Sequence, residues 1–239
     1  MNYGVVVAGG VGKRMGAEKP KQFLMIGDKP IIVHTVEKFV LCRDLDKIIV
    51  LTPADWIGYT GDVLAKHLGK SNMENVVVTE GGETRNETIM NAINYIDEHF
   101  GLNEEDIIVT HDAVRPFVTH RIIRDNVEAA VKYGATDTVI AATDTIVEST
   151  DGEKISSIPD RSVMYQGQTP QSFRAAELRE TYYSLTEEEK AILTDATKIY
   201  VLKGKPVYLV RGESFNIKIT YPYDLEVAET LLKGDTANA

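Results

Sequence analysis

The residue types best suited to chemistry stand close to the N-terminus, in Ala8-Gly9-Gly10-Val11-Gly12-Lys13-Arg14-Met15-Gly16 and the following Pro20-Lys21. Glycines directly after an apolar run let backbone N–H groups approach an anion. Arg14 and Lys21 set one cation on each side of the bend that contains Pro20. Cations so placed would neutralise charge developing on a phosphate chain during attack at phosphorus, the main requirement of phosphoryl or nucleotidyl transfer. A surface turn with solvated lysines has the same composition, so the loop by itself leaves both readings open. Two familiar loops are excluded by spacing. A Walker A loop needs Gly at position 7 and Ser or Thr at 14, where the chain has Val7 and Arg14. A dinucleotide fingerprint starting at Gly10 needs Gly or Ala at 15 and an acid after the second strand; the chain has Met15 and Thr52-Pro53.

Three further constellations follow. Gly81-Gly82-Glu83-Thr84-Arg85-Asn86-Glu87-Thr88 lies between an apolar run and a helical pattern, where a Gly-Gly turn can approach a flat base; Asn86 or Thr88 could equally be a plain helix cap. His111-Asp112-Ala113-Val114-Arg115-Pro116 ends a very apolar stretch. There a carboxylate can bind a metal or polyol hydroxyls and an arginine can bind an anion, or the two can pair with each other. His111 is given no proton-transfer role. The late polar clusters are Asp160-Arg161, Gln168-Thr169-Pro170-Gln171, Thr194-Asp195 and Asn216-Ile217-Lys218-Ile219-Thr220. Lys218, between two isoleucines on an expected strand, points into a site or to solvent.

These groups need a frame. Apolar, β-branched runs at residues 3–8, 47–52, 75–79, 106–110, 138–142 and 206–210 predict strands. Helical spacing recurs at 30–40, 86–100, 119–133 and 221–232. This alternation predicts a mostly parallel sheet covered by helices on both faces, in one domain over 1–233 with a frayed tail at 234–239. Residues 145–149 and 154–158 read as a hairpin around Asp151-Gly152, within an arm inserted at about 143–165.

The chain has 239 residues, 43% of them hydrophobic, enough for one sizeable core. Its single cysteine, Cys42, cannot form an intrachain disulfide, and no Cys/His cluster has zinc spacing. The N-terminus lacks a signal-peptide pattern, and no apolar run approaches the ~18 residues needed to span a bilayer, so a cytoplasmic enzyme is expected. A net charge of -10 disfavours nucleic acid and anionic membranes as partners. Against that background residues 1–21 carry Lys13, Arg14, Lys19 and Lys21 with Glu18 the sole acid, which suits a small anionic ligand.

Taken in order, Gly-Gly-x-Gly-x-Arg-Met-Gly…Pro-Lys-Gln-Phe at 9–23, the 81–88 and 111–116 segments, Thr169-Pro170-Gln171, Thr194-Asp195 and 216–220 resemble the cytidylyltransferase family that contains the methylerythritol-phosphate and ribitol-5-phosphate enzymes. The resemblance covers nearly the whole chain. Within the family the chain is more similar to the ribitol-5-phosphate enzymes of wall teichoic acid synthesis, through residues 109–117, Asp144-Thr145-Ile146-Val147 and 164–173. After Thr194-Asp195 it has Ala196-Thr197-Lys198-Ile199, where those enzymes commonly show Ala-Cys-Lys-Ile and the methylerythritol enzymes an acid-Ala-Ser pattern.

The resemblance implies a Rossmann-like α/β fold and transfer of a cytidylyl group from CTP to a polyol phosphate. It implies that Arg14, Lys21, Arg161 and Lys218 are catalytic. Val7, Ala8, Gly9 and Gly10, with Gly81, Gly82, Glu83, Thr84, Arg85, Asn86, Glu87 and Thr88, would hold CTP. Asp112, Arg115 and Thr194 would meet the polyol. It further implies Mg²⁺ on the phosphates with Asp112 as its protein contact, a homodimer made through the arm that carries Arg161 into the neighbouring site, and a possible association with a ribulose-5-phosphate reductase. The alternatives are the methylerythritol-phosphate acceptor and a non-catalytic nucleotide-binding partner.

Overall fold

Runs such as Lys47–Thr52, KIIVLT, have no helical spacing and no polar face, and residues of this kind become strands buried on both sides. In the computed structural model, which describes residues 1–10 and 19–237 (235–237 by backbone only), they build a seven-stranded sheet. The elements in chain order are β1 (Asn2–Val7), β2 (Met25–Ile26), β3 (Lys29–Pro30), α1 (Ile31–Val40), β4 (Lys47–Thr52), α2 (Ile57–Leu68), α3 (Lys70–Met73), β5 (Val76–Glu80), α4 (Arg85–Phe100), β6 (Ile107–Asp112), α5 (His120–Tyr133), β7 (Ala135–Ala141), β8 (Tyr165–Arg174), α6 (Ala175–Tyr183), α7 (Glu187–Ala191), α8 (Thr197–Leu202), β9 (Tyr208–Arg211) and α9 (Pro222–Ala237). The sheet order is β5-β4-β1-β6-β8-β7-β9, and all pairings are parallel except those of β8 with β6 and β7.

Alternation along the strands sends side chains to two apolar layers. Val6, Val50 and Val109 pack with Val36 and Phe39 of α1, Leu64 of α2 and Ile122 of α5. Val5, Ile49 and Ile108 pack on the opposite face with Ile89 and Ile93 of α4, Leu178 of α6 and Ile199 of α8. The expected mostly parallel sheet with helices on both faces is therefore present.

Four departures from the expected elements stand out. The first is β8, YQGQTPQSFR, a strand over residues assigned to no element, because its glycine, proline and polar residues carry no strand pattern. It is nevertheless an interior strand, because its polar side chains are satisfied within the sheet: Gln168 Nε2 donates to the Glu213 carbonyl at 2.9 Å and Gln171 Nε2 to Asp137 Oδ1 at 3.1 Å. Pro170 falls where the register with β7 shifts between Asp137 and Val139, so no ladder donor is lost there. The second is the hairpin, which is a single antiparallel bridge between Glu148 and Ser157 rather than two strands. Its apolar residues Val147, Ile155 and Ile158 are exposed, and a two-stranded ribbon with nothing packed on it does not sustain a ladder. The third is Lys218, which lies outside any strand. The fourth is the C-terminal helix, which passes Gly234 and continues to Ala237.

α4 begins differently from either cap read in the sequence. Thr84 is the cap: its hydroxyl accepts from Glu87 N at 3.2 Å, while the Glu87 carboxylate accepts from Thr84 N at 3.0 Å. Asn86 and Thr88 are instead buried in the first turn. Thr84→Ala should lower unfolding stability by about 1 kcal/mol, seen as a lower urea midpoint at unchanged slope.

Candidate active site

A cleft of about 380 Å³ opens over the C-terminal ends of β1 and β6 and the start of α4, the place where an open α/β sheet offers its loops to a ligand. Val7, Ala8, Gly9 and Gly10 form one wall, and Gly82 to Arg85 with Thr88 form another. Asp112, Lys218 and Lys21 also line it. Arg14 and residues 11–18 as a whole lie outside the described residues.

Lys21 sits in a single 3-10 turn, Lys21–Phe23, that is buried throughout. Its Nζ donates to the Ile219 carbonyl at 2.9 Å, and Gln22 Nε2 donates to the Ala8 carbonyl at 2.7 Å, so the turn is pinned to the glycine loop and to the far segment together. A Cβ on Gly10 would stand 3.7 Å from Lys21 Cε, which makes loop and cation direct neighbours. Gly82 is required by close approach: a Cβ there would collide with Glu87 and come 2.9 Å from Thr88 N. Thr88 Oγ1 accepts from Gly82 N at 3.0 Å and donates to the Thr84 carbonyl at 2.8 Å, bracing the Gly-Gly turn on its own helix.

Asp112 is the electrostatic centre. Its carboxylate meets Lys218 Nζ at 2.8 Å, Arg85 Nε at 3.3 Å and Arg115 Nε at 3.6 Å. Burial alone would raise its pKa, but Arg85, Lys218 and Arg115 outweigh burial and hold the carboxyl far below the usual carboxylate range. Of the outcomes left open for Asp112 and Arg115, the structure shows the pairing, and of the two Asp112 lines the cleft. Arg115 Nη1 also donates to the Asn216 carbonyl at 2.8 Å, and Ile219 N to the Val114 carbonyl at 2.9 Å, which docks 216–220 against the exit of β6.

His111 is fully buried and structural. Its Nε2 faces the Arg115 carbonyl at 3.1 Å, so that nitrogen carries the proton, and Nδ1 accepts from the Thr169 hydroxyl at 2.9 Å. Thr169 Oγ1 in turn accepts from Asp112 N at 3.2 Å, so a neutral imidazole satisfies the whole chain of bonds and orients the backbone of Asp112.

Two expected site residues stand apart from the cleft. Arg161 follows β7 in the arm and donates to the Thr143 carbonyl at 2.9 Å. Thr194 is exposed in the turn before α8, beside Asp195, whose carboxylate caps that helix by accepting from Lys198 N at 3.0 Å. Among the described residues no group of three or more His, Cys, Asp and Glu comes together to hold a metal. With three cations on its carboxylate, Asp112 does not fit as a protein-made divalent site, and a divalent cation would have to be held by a ligand's own oxygens. Sequence reasoning gave no role to Gln22, Thr169 or Asn216. Their signal is that each is a polar residue 4% exposed or less inside apolar surroundings, where a partner is obligatory.

The chain matches the family described as IspD, 2-C-methyl-D-erythritol 4-phosphate cytidylyltransferase, over residues 3–234. It belongs to that family. Solved structures agree: the 4-diphosphocytidyl-2C-methyl-D-erythritol synthase of Anaerococcus prevotii is 25% identical with a TM-score of 0.79, over 98% of this chain and 96% of that one. The 2-C-methyl-D-erythritol 4-phosphate cytidylyltransferase of Francisella tularensis is 29% identical with a TM-score of 0.78, over 96% and 98%. The enzyme of the same name from Thermus thermophilus is 27% identical with a TM-score of 0.71, over 96% and 98%. The chain is therefore a cytidylyltransferase of the IspD family. No helix among the described residues is long and apolar enough to cross a membrane.

Burial lowers the His111 pKa from 6.5 to about 4. The unfolded chain therefore takes up this proton first as pH falls. The stability this site contributes is complete above about 6.5 and is lost as pH drops towards 4, amounting to about 3 kcal/mol. An NMR titration should find the His111 ring neutral at pH 6 and protonating near 4, with the urea midpoint falling across that window.

Proposed function

We propose that this enzyme transfers the cytidylyl group of CTP to D-ribitol 5-phosphate, forming CDP-ribitol and pyrophosphate for wall teichoic acid synthesis. The observation that carries the reaction class is the surplus of cations around one buried carboxylate, with Lys21 lining the same cleft and bonded to Ile219 next to Lys218. An arrangement of that kind suits two polyanions brought together. A phosphate oxygen of the acceptor attacks the α-phosphorus in line, a new P–O bond forms, and the bond to the β-phosphate oxygen breaks as pyrophosphate departs. No general base is required, because a phosphomonoester with a second pKa of about 6 is largely deprotonated at neutral pH.

In this reading Val7 to Gly10 and residues 81–88 hold the nucleotide, with backbone N–H groups toward its phosphates. Lys21 and Arg14 stabilise charge on the phosphates at the transition state. Lys218 positions the incoming phosphate, and Asp112 and Arg115 meet the polyol. Arg161 completes the site across a homodimer formed by the arm, whose exposed Val147, Ile155 and Ile158 suit burial against a second copy. A divalent cation such as Mg²⁺, held by the triphosphate's own oxygens, would supply charge neutralisation. A cytoplasmic location and association with a ribulose-5-phosphate reductase belong to the same proposal.

Support for ribitol 5-phosphate comes from residues 109–117, 144–147 and 164–173 and from the Ala196-Thr197-Lys198-Ile199 segment. A second reading, 2-C-methyl-D-erythritol 4-phosphate as acceptor, is favoured by the names of the matched family and structures. Pyrophosphate release with CTP and each acceptor separates them: a higher kcat/KM with ribitol 5-phosphate is expected, and preference for methylerythritol phosphate reverses the assignment. Lys21→Ala should lower kcat by roughly 10²–10³-fold with the fold intact. Near-normal turnover would remove Lys21 from the mechanism.

A further inference from the structure

Beside the cleft lies a polar shelf that the roles above leave unused. Across the sheet Ile108 of β6, Phe173 of β8 and Ala135 of β7 stand in register, all of them in the apolar layer beneath α4, α6 and α8. Two residues further toward the cleft the same row reads Thr110, Gln171 and Asp137. Since i and i+2 share a face, these side chains emerge on the α4 side of the sheet, where Asp112 also emerges. An apolar floor turning polar at this row is the pattern of a binding surface, because polar side chains there cost stability unless something pairs with them.

The pairing is incomplete within the protein. Asp137 Oδ1 accepts from Gln171 Nε2 at 3.1 Å, and among the described residues no cation pairs directly with its carboxylate. Gln171, 2% exposed, keeps a buried Oε1 without a hydrogen-bond partner, and Arg85 keeps Nη1 and Nη2 without one. Asp137 itself remains partly accessible. Arg85 and Arg115 act on it electrostatically from the cleft side and Asp195 from the turn before α8, so it sits between the cleft and that turn. The shelf thus offers carboxylate and amide acceptors on one side and guanidinium donors on the other. A hydroxyl both donates and accepts, and a row of hydroxyls answers such a set; a methyl group answers none of it.

We propose that Asp137, oriented by Gln171, binds hydroxyl groups of the acceptor polyol and is a specificity-determining residue of this enzyme. The inference rests on the cytidylyl-transfer reading above and deepens its acceptor side. It favours a linear polyol phosphate over a branched one, because a branching methyl would face a carboxylate and leave it unpaired. Asp137→Asn keeps the oxygen that Gln171 meets and replaces the other with a donor turned toward donors.

The test is steady-state pyrophosphate release by the full chain with CTP and either ribitol 5-phosphate or methylerythritol phosphate, for wild type, Asp137→Asn and Asp137→Leu. For ribitol 5-phosphate we expect KM to rise about tenfold or more in both variants, as for a lost hydrogen bond to a charged group, with the KM for CTP unchanged. Asp137→Leu should also move kcat/KM toward the methyl-bearing acceptor. Unchanged acceptor KM in both variants, or an equal rise for CTP, overturns the inference while wild-type turnover leaves the reaction class standing. Wild-type inactivity with both acceptors overturns the reaction class and this inference together. If the variants fail to fold, single-deoxy ribitol 5-phosphates with the wild-type enzyme decide: a loss of about tenfold or more in kcat/KM at one hydroxyl supports the shelf, and no loss at any hydroxyl overturns it.

Discussion

Asp112 gathers cations from three distant parts of the chain: Arg85 at the start of α4, Arg115 beyond β6 and Lys218 in the segment before α9. Three like charges this close would repel one another apart if the carboxylate were absent. One carboxylate cannot neutralise them all, so the cluster keeps a positive surplus and remains receptive to anions. The same ion therefore holds the cleft together and leaves it unfinished, and a polyanionic substrate supplies what is missing.

The rest of the site is arranged to hold that carboxylate still. His111 and Thr169 fix the backbone at Asp112 through a neutral hydrogen-bond chain, and the neutrality matters because another cation there would add to the repulsion. Asn216 donates to the Thr169 carbonyl at 2.9 Å and to Gln168 Oε1 at 3.2 Å, so the segment carrying Lys218 is tied to β8 rather than left as a free loop. Lys21 reaches the same segment through Ile219, and Gln22 ties it to the glycine loop. The glycine-loop side and the Asp112 side of the cleft are thus braced by one continuous set of bonds, which suits a reaction whose barrier is lowered mostly by positioning.

The inserted antiparallel strand β8 explains why two kinds of chemistry meet here. A purely parallel sheet would place apolar strands beside β6, buried on both faces. Instead β8 brings Gln168, Thr169, Gln171 and Ser172 into the middle of the sheet, where Thr169 supports Asp112 on one side and Gln171 supports Asp137 on the other. Family membership accounts for the reaction class. Discrimination between acceptors is a matter for local groups, of which the proposed Asp137 beside this strand is one, because related alcohols differ by single hydroxyls and methyls.

Much was legible in the sequence for a simple reason. Buried parallel strands and amphipathic helices carry their periodicity locally, so β1, β4, β5, β6, α1, α4 and α5 could be read from runs and spacing. The glycine loop, Lys21, the Gly-Gly turn and Asp112 with Arg115 were legible because their chemistry also lies in adjacent residues. Polarity concealed β8, since Gly167 and Pro170 signal a turn and only the satisfied bonds to β7 and the 213–216 segment make it a strand. The meeting of Arg85, Lys218 and Asp112, the tautomer of His111 and the row that ends in Asp137 depend on register and on contacts spanning up to about half the chain. The sequence alone determined which groups are available and on what kind of element. Tertiary structure alone decided which of them share a charge, because that is settled by distance and burial and neither is written in local order.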